Sequence, residues 1–213
     1  MTGNPITSIR GGSNAICARL LCAALLFVVA GPSATYASNL VKTGSFEFPV
    51  VPIGGFTQFS NGQKAGPWKV VGASGNVAII NANFTFGGFT FPAKSGVQWM
   101  DLTGSSNTAT GIQQSFATTP GTTYTLSFFI GSGYNPGGPV GTSSTVRVRI
   151  DGTAIGSFTF NAKPGSTTQQ WRKFSTEFQA TRSTTSLVLT NGDPPFDTDN
   201  GVDVVAVTPV PAP

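Results

Sequence analysis

The chain has no histidine, and its only two cysteines, Cys17 and Cys22, lie close to its start. Beyond them, neither a Ser–His or Cys–His pair nor a zinc ligand set of histidine and cysteine can be assembled. No G-x-S-x-G motif is present, and charged residues make up only 9% of the chain. The basic residues are scattered, so the net charge of +4 gives little reason to expect nucleic acid as a partner. These absences predict a protein that is not an enzyme.

The first 37 residues have the layout of a secretory signal peptide. Arg10 and Arg19 are their only charges, an apolar run spans 20–30, and small residues lead to Ala37. The run is well short of the roughly 20 residues that span a bilayer, and no later run is longer. We therefore expect a signal peptide at 1–37 and no transmembrane segment in the mature chain. The protein should be secreted, to the cell surface, a periplasm or the medium.

Residues 38–207 alternate apolar and polar side chains with period two, as half-buried β-strands do. Turn residues bound each run, and Asp151-Gly152 has the sequence of a two-residue hairpin turn. Helical periodicity is absent after residue 37. We predict an all-β sandwich over 38–207, followed by a proline-rich tail at 208–213. The alternating residues expected on its inner faces are Tyr124, Leu126, Phe128, Ile130, Val146, Val148, Ile150, Leu187 and Leu189.

Four segments, in order, resemble the galactose-binding-like jelly-roll domain of the DUF642 and choice-of-anchor type, which is related to carbohydrate-binding modules. They are N-L-V-K-T-G-S-F-E-F-P with P-W-K-V, G-V-Q-W-M-D-L-T-G, G-I-Q-Q-S-F-A-T-T-P-G-T-T-Y-T-L-S-F, and W-R-K-F-S-T-E-F-Q-A with the closing G-V-D-V-V-A-V. The resemblance implies a single jelly-roll β-sandwich that binds cell-wall or extracellular polysaccharide without catalysis. The alternative is a structural or adhesive surface protein that self-associates and has no specific sugar site.

The same resemblance implies that Glu47 and Asp203 help hold a structural calcium ion. Calcium takes about 6–8 hard oxygen ligands, which carboxylates supply. Val204, next to Asp203, departs from the polar residue common in the family. A second acidic stretch, residues 193–201, alternates oxygen-bearing side chains like part of a calcium loop. Its spacing matches no complete EF-hand, so we expect a solvated turn there.

Sugar-binding residues are sought among exposed aromatic side chains with polar neighbours. Met100 and Leu102 suit the inner face of their strand, which places Trp99 and Asp101 together on the opposite face. We predict that this pair forms a platform for a sugar ring. A solvated sheet face with one protected tryptophan is the alternative.

Three further residues are candidate sugar ligands. Arg147 and Arg149 alternate with inward valines and could bind sugar hydroxyls or carboxylates. Tyr134 lies in a Gly/Pro-rich loop, where binding residues are often presented. The segment N-F-T-F-G-G-F-T-F at 83–91 is unusually aromatic. It is expected to be a core strand pair around a turn, with a cleft wall or a self-association edge as alternatives.

Overall fold

The computed structural model describes residues 38–194 and 197–211, so the predicted signal peptide at 1–37 lies outside the described residues. Every regular element in these two ranges is a β-strand. No helix long and apolar enough to cross a membrane occurs there. In chain order the strands are β1 (Phe56–Ser60), β2 (Lys64–Ala65), β3 (Trp68–Gly72), β4 (Asn76–Asn81), β5 (Thr85–Phe86), β6 (Phe89–Thr90), β7 (Gln98–Asp101), β8 (Thr110–Ala117), β9 (Thr123–Ser132), β10 (Ser143–Ile150), β11 (Thr153–Asn161), β12 (Gln170–Gln179), β13 (Thr184–Asn191) and β14 (Gly201–Pro209).

Twelve of these strands form two six-stranded sheets, and β5 pairs with β6 in a separate hairpin. The first sheet has the order β1-β4-β7-β14-β9-β12, and the second has the order β11-β10-β13-β8-β3-β2. Most neighbours in each sheet are not consecutive in the chain, because the chain crosses repeatedly from one sheet to the other. The architecture is a jelly-roll β-sandwich, which confirms the predicted fold class.

The main core lies between the two six-stranded sheets and is built from the inward-facing side chains of their strands. Tyr124, Leu126, Phe128 and Ile130 all face it from β9, as their alternation predicts. The buried indole of Trp68 donates a hydrogen bond from Nε1 to the carbonyl oxygen of Thr43 at 3.3 Å, which gives its polar atom a partner inside the core. The facing sheet contributes Val146, Val148, Ile150, Leu187 and Leu189.

Two tight turns close hairpins of this fold with positive φ angles. Asp151 and Gly152, between β10 and β11, have φ values of 49° and 84°, which is the pattern of a type I′ turn and fits the two-residue hairpin turn predicted from the sequence. Gly87 and Gly88, between β5 and β6, have φ values of 58° and 84°. A Cβ atom at either glycine would meet no other atom within 4 Å, so the tip of the β5–β6 hairpin lies in open space.

Strand β14 lies between β7 and β9 and contains a bulge at Val204. Val204 has a φ of 52°, a rare conformation for a β-branched residue. The strand continues through Pro209, two residues past the predicted domain end at 207, so the predicted tail at 208–213 begins inside the sheet. Only the first two residues of β14 pair with β7. Pro209 therefore lies where the strand has one neighbour, a position in which proline is tolerated.

A second apolar cluster lies on the outer face of the first sheet, opposite the main core. Residues 84–91, which we call the aromatic hairpin, cover this face. The Thr90 amide donates to the Thr167 carbonyl at 3.0 Å, and the Gln169 amide donates to the Thr90 carbonyl at 2.9 Å. These bonds attach the hairpin to the segment before β12. The buried residues of the cluster are Ala78, Ile80, Phe89, Phe91, Trp99 and Val140.

Candidate functional site

A cleft of about 250 Å³ opens on the outer face of the first sheet. Its floor is made by side chains of β1, β4 and β7 that lie opposite one another across the strands. One row of the floor is apolar, and the next row carries an amide and a carboxyl group. The rows are Phe56–Ile80–Trp99 and Gln58–Ala78–Asp101.

The aromatic hairpin lines the cleft with Phe84, Phe86 and Phe91. Phe84 packs edge-on against Phe56 with ring centroids 5.5 Å apart, which joins the hairpin to the floor. Phe86 remains 53% exposed. A mostly apolar lining with a few polar groups is typical of small-molecule sites. The remaining lining residues are Gly104, Ser105, Val140, Thr198 and Asp199.

Trp99 lies on the outer face with Asp101, as predicted, but it is not the open platform that the sequence suggested. Its side chain is only 2% exposed. The indole stacks on Phe91 at 6.2 Å and meets Trp171 edge-on at 6.0 Å, and its Nε1 donates to the Phe91 carbonyl at 3.0 Å. The aromatic hairpin covers Trp99, a contact that the alternation within β7 does not reveal. Trp99 lines the cleft from below, and its role in binding stays a prediction.

Asp101 lies at the polar end of the cleft floor and is 7% exposed. Its Oδ1 accepts hydrogen bonds from the Thr103 amide at 2.8 Å and the Thr103 hydroxyl at 2.6 Å, and its Oδ2 accepts one from the Gly104 amide at 3.0 Å. Burial raises the pKa of Asp101 to about 7, although these hydrogen bonds oppose the shift. The carboxyl group is thus held firmly by its own loop, and its role in ligand binding stays a prediction.

Trp171 supports Trp99 because two glycines make room for its ring. Gly131 of β9 and Gly201 of β14 lie opposite each other. A Cβ at Gly131 would come within 2.8 Å of the Trp171 ring, and one at Gly201 within 3.1 Å. The indole Nε1 donates to the Pro92 carbonyl at 2.9 Å. The glycine pair therefore lets an indole lie close to the sheet backbone beside the cleft.

Arg147 and Arg149 point outward from β10, as predicted, but they are on the other sheet. They alternate with Val146 and Val148, which face the main core from the second sheet. Trp99, in contrast, lies on the outer face of the first sheet. Arg147 Nη2 donates to the Gly192 carbonyl at 3.4 Å, and Arg149 Nη1 donates to the Gly152 carbonyl at 3.0 Å. The whole sandwich therefore separates the arginines from Trp99, so these two sets of candidate residues lie on different faces. A separate binding role for the arginines stays a prediction.

Tyr134 is half-buried in the loop between β9 and β10. The same loop sends Val140 into the cleft lining, whereas Tyr134 is not among the lining residues. The structure therefore brings this loop to the cleft through a different residue from the one predicted. A direct contact of Tyr134 with a ligand stays a prediction.

Glu47 and Asp203 are brought together at one loop, residues 94–98. Glu47 Oε1 accepts hydrogen bonds from the amides of Val97 and Gln98 at 3.0 and 3.1 Å. Asp203 Oδ2 accepts bonds from the amides of Lys94 and Ser95 at 2.9 and 3.0 Å.

Glu47 and Asp203 offer carboxylate oxygens, the type of calcium ligand that the family resemblance implies. Burial, and in smaller part the charge of Glu47, raises the pKa of Asp203 to about 7. A Cβ at Gly96 would run into the Glu47 carboxylate, so the loop forms a close cradle around it. Two hard carboxylates in such a cradle fit calcium by donor type.

Three polar side chains of the acidic stretch, Asp197, Asp199 and Asn200, are buried, so the expected solvated turn is wrong for them. Asp197 is 6% exposed, Asp199 is 4% exposed and Asn200 is fully buried. Among residues 38–194 and 197–211, four buried oxygens of this stretch have no hydrogen-bond partner: Asp193 Oδ2, Asp197 Oδ1, Asp199 Oδ1 and Asn200 Oδ1. Composition alone does not distinguish this stretch from a turn, because the same residue types dominate solvated turns.

The carboxyl groups of this stretch are destabilised in their charged form. Burial, followed by the charge of Asp197, raises the pKa of Asp193 to about 9. Burial, followed by the charge of Asp101, raises the pKa of Asp199 well above its usual range. Within residues 38–194 and 197–211, no three histidine, cysteine or acidic side chains are placed to hold a metal ion. An ion at this stretch would therefore need amide or main-chain oxygens as well.

Sequence reasoning missed Phe56 and Gln58, which belong to the cleft floor. In their segment, F-T-Q-F-S, Phe56 and Phe59 are three positions apart, and residues at that spacing face opposite sides of a strand. Phe59 packs against the main core, and Phe56 faces the cleft. The pairing of β1 with β4, where Ile79 and Ile80 also face opposite ways, determines that Phe56 faces the cleft and Phe59 faces the core. The sequence of β1 alone does not determine this.

Several solved structures are similar to this chain at low sequence identity, and a cyclase among them has a TM-score above 0.5. A cyclase from Fischerella sp. TAU is 18% identical over 83% of this chain and 99% of its own, with a TM-score of 0.54. The module TmCBM61, solved in complex with β-1,4-galactotriose, is 14% identical over 82% and 100% of the two chains, with a TM-score of 0.47. A family 35 carbohydrate binding module from Clostridium thermocellum is 17% identical over 62% and 90%, with a TM-score of 0.40.

These likenesses concern the fold alone. No curated protein matches the sequence. A family model described as "Protein of unknown function (DUF642)" matches residues 39–207, a range that includes β1 to β13 and most of β14. The chain belongs to the DUF642 family.

Proposed function

We propose that the protein is a secreted, non-catalytic carbohydrate-binding module that holds polysaccharide in the cleft on the outer face of its first sheet. The observation that carries this proposal is the pair of exposed aromatic rings at the cleft, Phe56 at 45% and Phe86 at 53% exposure. Each ring can pack on the apolar face of a sugar. Gln58 and Ser105 lie in the same lining and offer an amide and a hydroxyl group to sugar hydroxyls.

The size and polarity of the cleft narrow the ligand. Its volume of about 250 Å³ is just below the roughly 300–1,000 Å³ usual for ligand pockets, so it suits a short stretch of a glycan. The described lining contains two acidic residues, Asp101 and Asp199, and no lysine or arginine. Such a lining offers no basic side chain to the carboxylates of an acidic glycan, so we expect preference for a neutral polysaccharide.

The proposal includes a structural calcium ion held by Glu47 and Asp203. Glu47 precedes the first sheet in sequence, and Asp203 lies in the last strand, so one ion there would tie the two ends of the domain together. The ion's contribution is charge neutralisation of two carboxylates that face the same loop. It has no direct role at the cleft in this proposal, and its removal tests stability separately from sugar binding.

A glycan array followed by calorimetry tests the binding function. We expect the protein to bind a neutral polysaccharide and Phe86→Ala to weaken that binding at least tenfold, since stacking of one ring is removed. Phe48→Ala is the matched control, because Phe48 is similarly exposed at 61% and is absent from the cleft lining. Equal affinity of Phe86→Ala and the parent protein for a bound glycan would exclude this cleft as the site.

A structural or adhesive role is the second candidate, and an exposed apolar patch favours it. Phe48, Val50 and Ile53 are 61%, 82% and 84% exposed in the loop before β1. Val97, 58% exposed, is next to Gln98, whose side chain binds this loop through the Pro49 carbonyl at 2.9 Å and the Val51 amide at 2.7 Å. Concentration-dependent assembly that Phe48→Ala abolishes, with no glycan bound by the parent protein, would favour this role.

A further inference from the structure

Asp193, Asp197, Asp199 and Asn200 contain buried polar atoms that no described part of the protein satisfies. In a protein interior, polar atoms without a partner are uncommon and an unpaired charge is costly. Here four such oxygens occur within eight residues, from Asp193 to Asn200. A stretch that only served as a turn would expose these groups to water. Their burial indicates that something outside the polypeptide completes the site.

These side chains converge on one short segment, the start of β10. Asp197 Oδ2 accepts hydrogen bonds from the amides of Thr142 and Ser143, both at 3.4 Å. Asp193 Oδ1 accepts a bond from the Thr145 amide, and Asn200 Nδ2 donates to the Thr145 carbonyl at 2.6 Å. This segment thus holds one carboxylate oxygen of Asp193 and of Asp197, and the second oxygen of each has no partner among the described residues. It holds the amide nitrogen of Asn200, whose amide oxygen likewise has no described partner.

Asp199 approaches the same region from the neighbouring loop. Its Oδ2 accepts a bond from the Gly133 amide at 2.7 Å, and its main-chain carbonyl accepts one from the Ser144 hydroxyl. Gly141 makes this packing possible, since a Cβ there would collide with the Asp197 carboxylate. Gly141 therefore lets the Asp197 carboxylate lie directly against the backbone just before β10.

We propose that Asp193, Asp197, Asp199 and Asn200 form a divalent-cation site at the start of β10, and that calcium is the ion it takes. All four unsatisfied atoms are hard oxygens, with neither histidine nor thiolate among them, and this donor type suits calcium over transition metals. Calcium accepts amide oxygens, main-chain carbonyls and water beside carboxylates. The site therefore does not need three carboxylates in contact with one ion.

The site is independent of the Glu47–Asp203 pair and adjoins the cleft. Thr198 and Asp199 line the cleft, so an ion bound by Asp199 would fix one of its walls. This inference does not rest on the proposed sugar binding. An ion can order the acidic loop whether or not any glycan is a ligand.

Calcium titration of the protein by calorimetry, before and after EDTA treatment, is the first test. Asp199→Asn and Asp197→Asn are near-isosteric and keep an oxygen for the main-chain amides. We expect either variant to lose one bound calcium or to weaken it at least tenfold. Asp151→Asn is the control, since Asp151 lies in the β10–β11 turn and its Oδ1 accepts the Ser186 amide at 2.8 Å. Glu47→Gln should leave this calcium in place.

A second readout separates metal binding from a structural role. Without calcium, Asp199→Asn should raise the melting temperature relative to the parent protein, because it removes a buried charge. With calcium, the parent and the Asp151→Asn control should gain more stability than Asp199→Asn, whose remaining gain would come from the separate Glu47–Asp203 pair. Terbium luminescence excited through tryptophan gives a local signal, since Trp99 and Asp199 line the same cleft. Absence of calcium binding at millimolar concentration, or unchanged binding in both aspartate variants, would overturn the proposal.

Discussion

Replacing Trp99 with alanine should destabilise the whole domain rather than only weaken a ligand contact. The side chain is 2% exposed and packs against both Phe91 and Trp171. Removing a buried tryptophan typically costs about 3–5 kcal/mol, and the lost hydrogen bond to the Phe91 carbonyl adds about 0.5–1.5 kcal/mol. Natural domains have only about 5–15 kcal/mol of stability in total.

The assay is urea denaturation followed by circular dichroism, with the free energy of unfolding obtained by linear extrapolation. Trp99→Phe is the matched variant, since it keeps an aromatic ring but loses the Nε1 donor. We expect it to cost about 1–2 kcal/mol, a hydrogen bond plus a small change in packing. A loss below about 1 kcal/mol for Trp99→Ala would refute the view that the second cluster is a packed core.

Amide hydrogen exchange locates the part of the structure that Trp99→Ala destabilises. The aromatic hairpin is attached through the Thr90 and Gln169 amides, and it contributes Phe89 and Phe91 to the cluster around Trp99. In Trp99→Ala these two amides should exchange faster through local opening, whereas amides of β9 should follow global unfolding. Loss of glycan binding in this variant would therefore say little about direct contact. Phe86→Ala is the better probe of the cleft.

Three other changes test neighbouring parts of the structure. Gly131→Ala should displace the Trp171 ring, because its Cβ would come within 2.8 Å of ring atoms. Differential scanning calorimetry should then show a lower melting temperature. An unchanged melting temperature would contradict the close packing of Trp171 on Gly131. Since the pKa of Asp101 is raised to about 7 in the folded state from an ordinary value of 3.8, the folded protein binds the proton more tightly than the unfolded chain. This group's stabilisation is present below about pH 4 and is lost as the pH rises towards 7, by at most about 4 kcal/mol. In EDTA, Asp101→Asn should make the unfolding free energy decline less steeply between pH 5 and 8. The decline that remains would come from the other buried aspartates. An unchanged slope would argue against a raised pKa for Asp101. Glu47→Gln should reduce the calcium-dependent rise in melting temperature, and a rise equal to that of the parent protein would exclude Glu47 as a ligand.

The fold could be predicted because its signals are local and repeated. Alternation in β9 identified four core residues correctly, and Asp151-Gly152 identified a turn by its backbone requirement. Alternation also placed Trp99 and Met100 on opposite faces of β7. Each of these inferences needs only the period of a strand or the geometry of one turn.

The site could be predicted only in part because it depends on what covers each face. Nothing within β7 indicates that the aromatic hairpin packs on Trp99. Arg147 faces outward as predicted, but which sheet contains its strand is decided by pairing between distant segments. The aspartates after β13 have the composition of a solvated turn, and contacts with the start of β10 and with Gly133, which are distant in sequence, hold them in the fold.

The open tip of the aromatic hairpin has a consequence for how this family can diversify. The cleft floor belongs to strands of the sandwich, while Phe86 belongs to a two-residue strand that ends at Gly87 and Gly88. Neither glycine has any atom within 4 Å of its potential side chain, so insertions there would not disturb the core. Relatives can therefore lengthen this hairpin and reshape the cleft while keeping the same scaffold.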